Sequence, residues 1–167
     1  MRKTLAATAI FTALAASAHA EMARYELDTA HTNVYFTIEH IGYARTLGIF
    51  TDLTGNFFYD VDSQELGDVE VVIDASSVNT FNERRDGHVR NQDFLHVSEH
   101  PDITFVANGG AAASETNGTV TGDLTILGVT QPVTLDVTLN KVAEYPFGHK
   151  REVLGLSMST SIQRSDF

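Results

Sequence analysis

The stretch RRDGHVRNQDFLHVSEHP, residues 84–101, gathers His88, His96 and His100 with Arg84, Arg85 and Arg90, in a chain with no cysteine and 22 acidic against 11 basic residues. Two kinds of chemistry use such a set. Imidazoles at i and i+4, as at His96 and His100, have the spacing with which a helix face ligates zinc, and His88 lies further upstream. The metalloprotease pattern needs a glutamate directly after its first histidine as general base, and HVSEH has Val97 there. A GxSxG elbow, a P-loop and an aspartate-rich calcium loop are all absent from the sequence. With ligand spacing as the only argument for metal, ordinary surface histidines account for the set, and neither a metal site, a cofactor nor a catalytic residue is expected.

The arginines suggest anion binding. They are three of the nine basic residues left once Arg2 and Lys3 are removed, and they fall within seven positions of an otherwise acidic chain. Arg85 and Arg90 are therefore candidates to hold an anionic or polar lipid head group. Glu83 and Asp86 lie among them and offer competing partners on a solvated helix face. Thr80 with Glu83 resembles a capping box, so a short surface helix is expected from there to about Asn91, weakened by Gly87.

Elsewhere the period is two. Val34, Phe36 and Ile38 alternate with polar neighbours. The odd positions from Ile49 to Val61 do the same, and so do Val69 to Ile73, Ile103 and Phe105, Val120 to Ile126, Val133 to Leu139, and Leu154 to Ile162. Asn117-Gly118 suits a type I′ hairpin turn, and Gly128 to Pro132 punctuates the strands on either side. One-sided antiparallel strands with almost no helix must cover their own apolar face. The expected fold is all-β: a sandwich, or a barrel of about eight strands with an interior just wide enough for side chains or one small ligand.

The N-terminus MRKTLAATAIFTALAASAHA reads as a secretory signal cleaved after residue 20, with a basic start, a short apolar run and an Ala-His-Ala site. Residues 21–167 then form one domain, exported to the periplasm and not membrane-spanning. Nine basic against 22 acidic residues remain in that domain, a net charge of −13. Such a field opposes nucleic acid and anionic lipid surfaces.

Motifs along the whole of this domain identify the chain as resembling the YceI-like family of periplasmic proteins. Tyr25, Asp28, His31, Thr32, Phe36, His40 and Gly42 match near the start, followed by Gly48, Phe50 and Gly55. Thr80, Arg85, Asp86, His88, Asp93, Phe94 and Pro101 match the RDxHL…dFf…yPxitF pattern. GDLTILGVTQPV, residues 122–133, and RSDF, Arg164 to Phe167, complete the series. Val89 and His100 depart from the pattern's usual leucine and tyrosine. The resemblance implies a lipocalin-like antiparallel barrel whose tunnel holds a long apolar molecule, a polyisoprenoid or isoprenoid quinone. It also implies a glycine and a final strand beyond RSDF, where this sequence stops. A barrel short of that strand has open edges, so self-association, a homodimer included, is expected.

The candidate lining is Phe36, Ile38, Phe57, Phe105, Leu124, Ile126, Leu156 and Met158. Each could equally be ordinary packed core. Two readings stand beside the lipid carrier: a cargo-free stress or assembly module, and a histidine-based metal-dependent hydrolase.

Overall fold

The structure, a computed structural model, describes residues 22–167. The signal segment, residues 1–20, lies outside the described residues. Strands β1 (Ala23–Glu26), β4 (Leu53–Tyr59), β5 (Leu66–Asp74), β7 (Asp102–Ala107), β9 (Asn117–Ile126), β10 (Val129–Glu144) and β11 (Glu152–Ser159) pair in the order β1-β4-β5-β7-β9-β10-β11, and β8 (Ala111–Ala112) pairs with β9. A second sheet joins β2 (Val34–His40), β3 (Ala44–Phe50) and β6 (Val78–Asn79). Every pairing is antiparallel. Among the described residues the one α-helix is α1 (Glu83–Arg90), beside short 3-10 turns at Ala75–Ser77 and Arg164–Asp166. The all-β architecture expected from the alternation is the one observed, as a curled half-barrel. Bulges between Phe57 and Tyr59 and between Leu139 and Lys141 bend two of its strands.

The inner face follows from the register. Gly55, Val71, Phe105, Leu124 and Gln131 form one cross-strand row, and positions two apart on each strand share its face. One end of the half-barrel is packed shut. There Leu53, Ile73 and Ile103 pair in a row with Ile126 alongside, and Phe50, Ala75, Val78 and Leu95 close over them, all buried. Val89 and Val97 reach this cluster from the segment 84–101, which therefore lies over the closed end.

Three local expectations are corrected. The run Ile49 to Val61 is not one strand: the chain turns a corner at Thr51–Asp52 and changes sheets, so the buried positions switch from Gly48 and Phe50 to Leu53. Asn117-Gly118 is strand, paired with Thr138 and Val137. The two-residue turn is Leu127-Gly128, with φ of 53° and 74°. That is the left-handed pair a type I′ turn needs, and Leu127 accepts it while packing its side chain on the core. The helix cap is Asn82, whose side chain accepts from the Arg85 N–H at 3.0 Å. Thr80 instead serves Asp86, so the expected Thr80–Glu83 capping box does not form.

Candidate functional site

The inner face of the half-barrel is an apolar trough. Phe57 on β4 is one alternation from Gly55, Ile126 on β9 is one from Leu124, and Phe105 and Leu124 are paired directly. On β10 the same face carries Val133, Leu135, Val137 and Leu139, and it passes to β11 through the pairs Val137–Met158 and Leu139–Leu156. The structure thus brings six of the eight lining candidates, Phe57, Phe105, Leu124, Ile126, Leu156 and Met158, onto one surface. They are not equally free. Phe105 and Ile126 are buried among neighbouring side chains, while Phe57, Leu124 and Leu156 are half-buried and Met158 is 51% exposed.

Phe36 and Ile38 come from the opposing sheet. Phe36 packs on Phe50 with ring centroids 5.4 Å apart, and its ring lies where a Cβ on residue 48 would stand, which is why that position is Gly48. Phe36 therefore belongs to the closed end. Ile38, further along β2, is 56% exposed.

At the other end of the trough the lining turns polar. Tyr25 on β1 faces inward beside Phe57, with stacked rings 5.4 Å apart. Its hydroxyl donates to Glu152 Oε1 of β11 at 2.6 Å. Burial, reinforced by the Glu152 carboxylate, pushes the Tyr25 hydroxyl up to about 12. Sequence reading had no means of joining these two residues, since 127 positions separate them.

Arg85 and Arg90 lie apart from the trough. Arg85 donates from Nε to Thr80 Oγ1 at 2.8 Å and from Nη2 to the Thr80 carbonyl at 2.6 Å. Arg90 donates to the carbonyls of Ser76 and Val78 at 2.7 and 2.6 Å. Both guanidinium groups thus tie α1 to the strand segment it follows. Between them sits buried Asp86, which accepts from the N–H and hydroxyl of Thr80. These hydrogen bonds, the side-chain one foremost, hold its carboxyl below the usual aspartate range.

The histidines do not converge. His88 packs edge-on against Phe94, with Nε2 3.4 Å from Asp93 Oδ2. His96 and His100 are ring neighbours 5.9 Å apart, and His100 lies against the Gly128 turn. Among the described residues, no three His, Cys, Asp or Glu side chains come together as a metal cage would require. His31 bonds Asp28 at 2.6 Å, but the pair sits in an exposed turn that Asp28 also caps through the Ala30 N–H. An open groove of about 410 Å³ lies on the outer face beside β1, bordered by Arg24, Glu26, Thr54, Asn56 and Glu70. Its polar wall suits no long apolar chain. Among the described residues, no helix is long and apolar enough to cross a membrane.

Known proteins show the same architecture. The crystal structure of the YCEI protein of Campylobacter jejuni superposes with a TM-score of 0.71 at 36% identity, over 86% of this chain and 82% of that one. Burkholderia cenocepacia BcnA gives 0.65 at 26% identity, over 70% and 73%. A UPF0312 protein of Pseudomonas putida is 36% identical across the whole of this chain and 87% of its own length. The family model described as the YceI-like domain matches residues 25–167. The trough, the tied helix and the closed end are thus the parts of a YceI-like domain, and the chain belongs to that family.

Proposed function

We propose that the protein is a periplasmic carrier of a long apolar lipid, a polyisoprenoid or isoprenoid quinone, and that it binds rather than catalyses. One observation carries this reading: a single apolar face runs from buried Ile126 and Phe105 out to Leu156 and to Met158, which is left half open. A packed core would bury Met158, whereas a binding surface keeps apolar area in reserve. Removing such area from water contributes ~25 cal/mol per Å², so a prenyl chain laid along the trough gains with each unit. The cargo-free module remains the competing reading. Phe57, Leu124, Leu156 and Met158 are residues of the lining set with surface left to give, and Ile38, on the same face of β2 as Phe36, is 56% exposed.

The head group is the lesser contributor. Arg85 and Arg90 already spend donors on the Thr80 hydroxyl and on backbone carbonyls, so an anionic head at α1 would have to share them. Delipidated protein titrated with a prenyl alcohol tests the reading. At about 100 times the dissociation constant, ligand linkage stabilises the fold by ~2.7 kcal/mol, which a thermal melt resolves. An unchanged melting midpoint across the titration would count against a carrier.

A further inference from the structure

The β10–β11 hairpin ends in the tip Tyr145 to Arg151, sequence YPFGHKR, which holds no acidic residue in a chain with 22 of them. The tip is built, not loose. The Tyr145 N–H donates to the Arg151 carbonyl at 2.8 Å, and Lys150 Nζ donates to the Pro146 carbonyl. Arg151 N–H donates to His149 Nδ1 at 3.0 Å. The Tyr145 ring stacks on His149 at 5.1 Å and meets Phe147 edge-on at 6.1 Å. This places an aromatic cluster, with Phe147 71% exposed, beside the cations Lys150 and Arg151. Two carboxylates, Glu144 and Glu152, flank the tip as a cross-strand pair, and that of Glu152 is engaged by the Tyr25 hydroxyl.

The position matters as much as the composition. β10 reaches this tip after running away from the Leu127-Gly128 turn at the closed end, so the tip stands at the open end of the trough. The β2–β3 hairpin also runs away from the corner at Thr51–Asp52, and its own tip exposes Ile41 at 80% and Tyr43 at 87%, with Arg45 next to them. Exposed rings and aliphatic groups beside cations are what the boundary between lipid head groups and acyl chains accepts. The chain's net charge of −11 argues against a general attraction to anionic surfaces, so contact must be made by a local, acid-free element.

We infer that residues 145–151 dock the open end of the trough on the surface of an anionic lipid bilayer. The inference rests on the carrier reading, for which docking supplies a route between bilayer and trough. Cosedimentation of the purified protein with vesicles of phosphatidylethanolamine and phosphatidylglycerol tests it, with Phe147→Ser and the pair Lys150→Glu, Arg151→Glu as variants. Each basic residue near such a surface is worth about fivefold in partition, so the charge-reversed pair should lose more than ~25-fold, and added salt should weaken wild-type binding. Phe147→Ser should weaken binding at every salt concentration. Lipid retained by the same variants, read by solvent extraction, reports on the carrier function separately. Loss of vesicle binding with retained cargo supports docking by the tip. Wild-type protein that ignores the vesicles, or variants that bind them as well as wild type, would overturn it whatever the cargo content.

Discussion

Tyr25 on β1 donates its hydroxyl to Glu152 on β11 at 2.6 Å, although β1 and β11 are the two ends of the sheet. Paired residues lead from Tyr25 to Phe57, Val69 and Ala107, whereas Glu152 pairs with Glu144 at the far end of β10. The contact therefore crosses the sheet diagonally, as the stagger of a curled barrel requires. One side-chain bond thus brings the rims of an otherwise open trough together.

The pH dependence of this contact has a definite sign. Tyr25 is raised from 10.0 to about 12 in the folded protein, so folding holds its proton more tightly than the unfolded chain does. That stabilisation is complete below pH 10 and is lost as pH rises towards 12. Tyr25→Phe should remove a hydrogen bond worth about 1 kcal/mol at neutral pH. Denaturant melts at rising pH should show the two proteins converging above pH 10; a constant gap would refute the assignment.

The clamp around α1 should be sensitive to loss of its buried acid. Asp86→Ala leaves the Thr80 N–H and hydroxyl without their acceptor and is expected to destabilise the fold by ~2–3 kcal/mol. The folded pKa of Asp86 is depressed, so its contribution is present above the ordinary aspartate range and is lost as pH falls through the folded value. Acid melts of wild type and variant should converge at low pH. Equal stability at neutral pH would show that the arginines hold α1 unaided.

A methyl group at Gly48 would collide with the Phe36 ring. Gly48→Ala should therefore displace Phe36 from the closed end and cost ~1–3 kcal/mol in a thermal melt. The double variant Gly48→Ala, Phe36→Leu should recover part of that loss, since the smaller side chain makes room. No recovery would mean that the strain lies in the backbone.

Among the described residues, β2 and β11 each keep one unpaired edge. Such edges are templates for another strand, so the mass seen by analytical ultracentrifugation should rise with concentration. Lysine at Ser157 and Ser159 of β11 should suppress the rise. A mass that stays monomeric at all concentrations would exclude edge pairing.

The alternation of side chains could be read along each strand because burial on one face imposes a period of two wherever the chain is straight. It failed where the chain bends. At Thr51–Asp52 the corner moves the buried set from even to odd positions, and β3 before it, with Ala44 and Arg45 exposed, carries too little apolar contrast to register. The break at Gly128 is legible in the sequence, but its type I′ turn is not, because leucine is an unusual occupant of a left-handed position and the more typical Asn117-Gly118 competes for it. The lining set was legible as a face but not in its degree of openness. Phe105 and Met158 look alike in sequence, yet one is enclosed and the other is not, because that depends on which strands stand opposite. For Arg85 and Arg90 the sequence offers Glu83 and Asp86 as competing partners, whereas the acceptors are the Thr80 hydroxyl and the backbone carbonyls of Thr80, Ser76 and Val78, and no side-chain pattern reveals those carbonyls.

The most direct test of the trough is the lipid content of the protein as purified from cells. Organic extraction followed by mass spectrometry should yield a long apolar lipid at close to one equivalent. Met158→Asp places a charge on the open part of the trough without disturbing buried Phe105 or Ile126, so the variant should melt like wild type and lose that lipid. Wild-type protein free of lipid, or a Met158→Asp variant that carries as much as wild type, would contradict the assignment of the inner face as the binding surface.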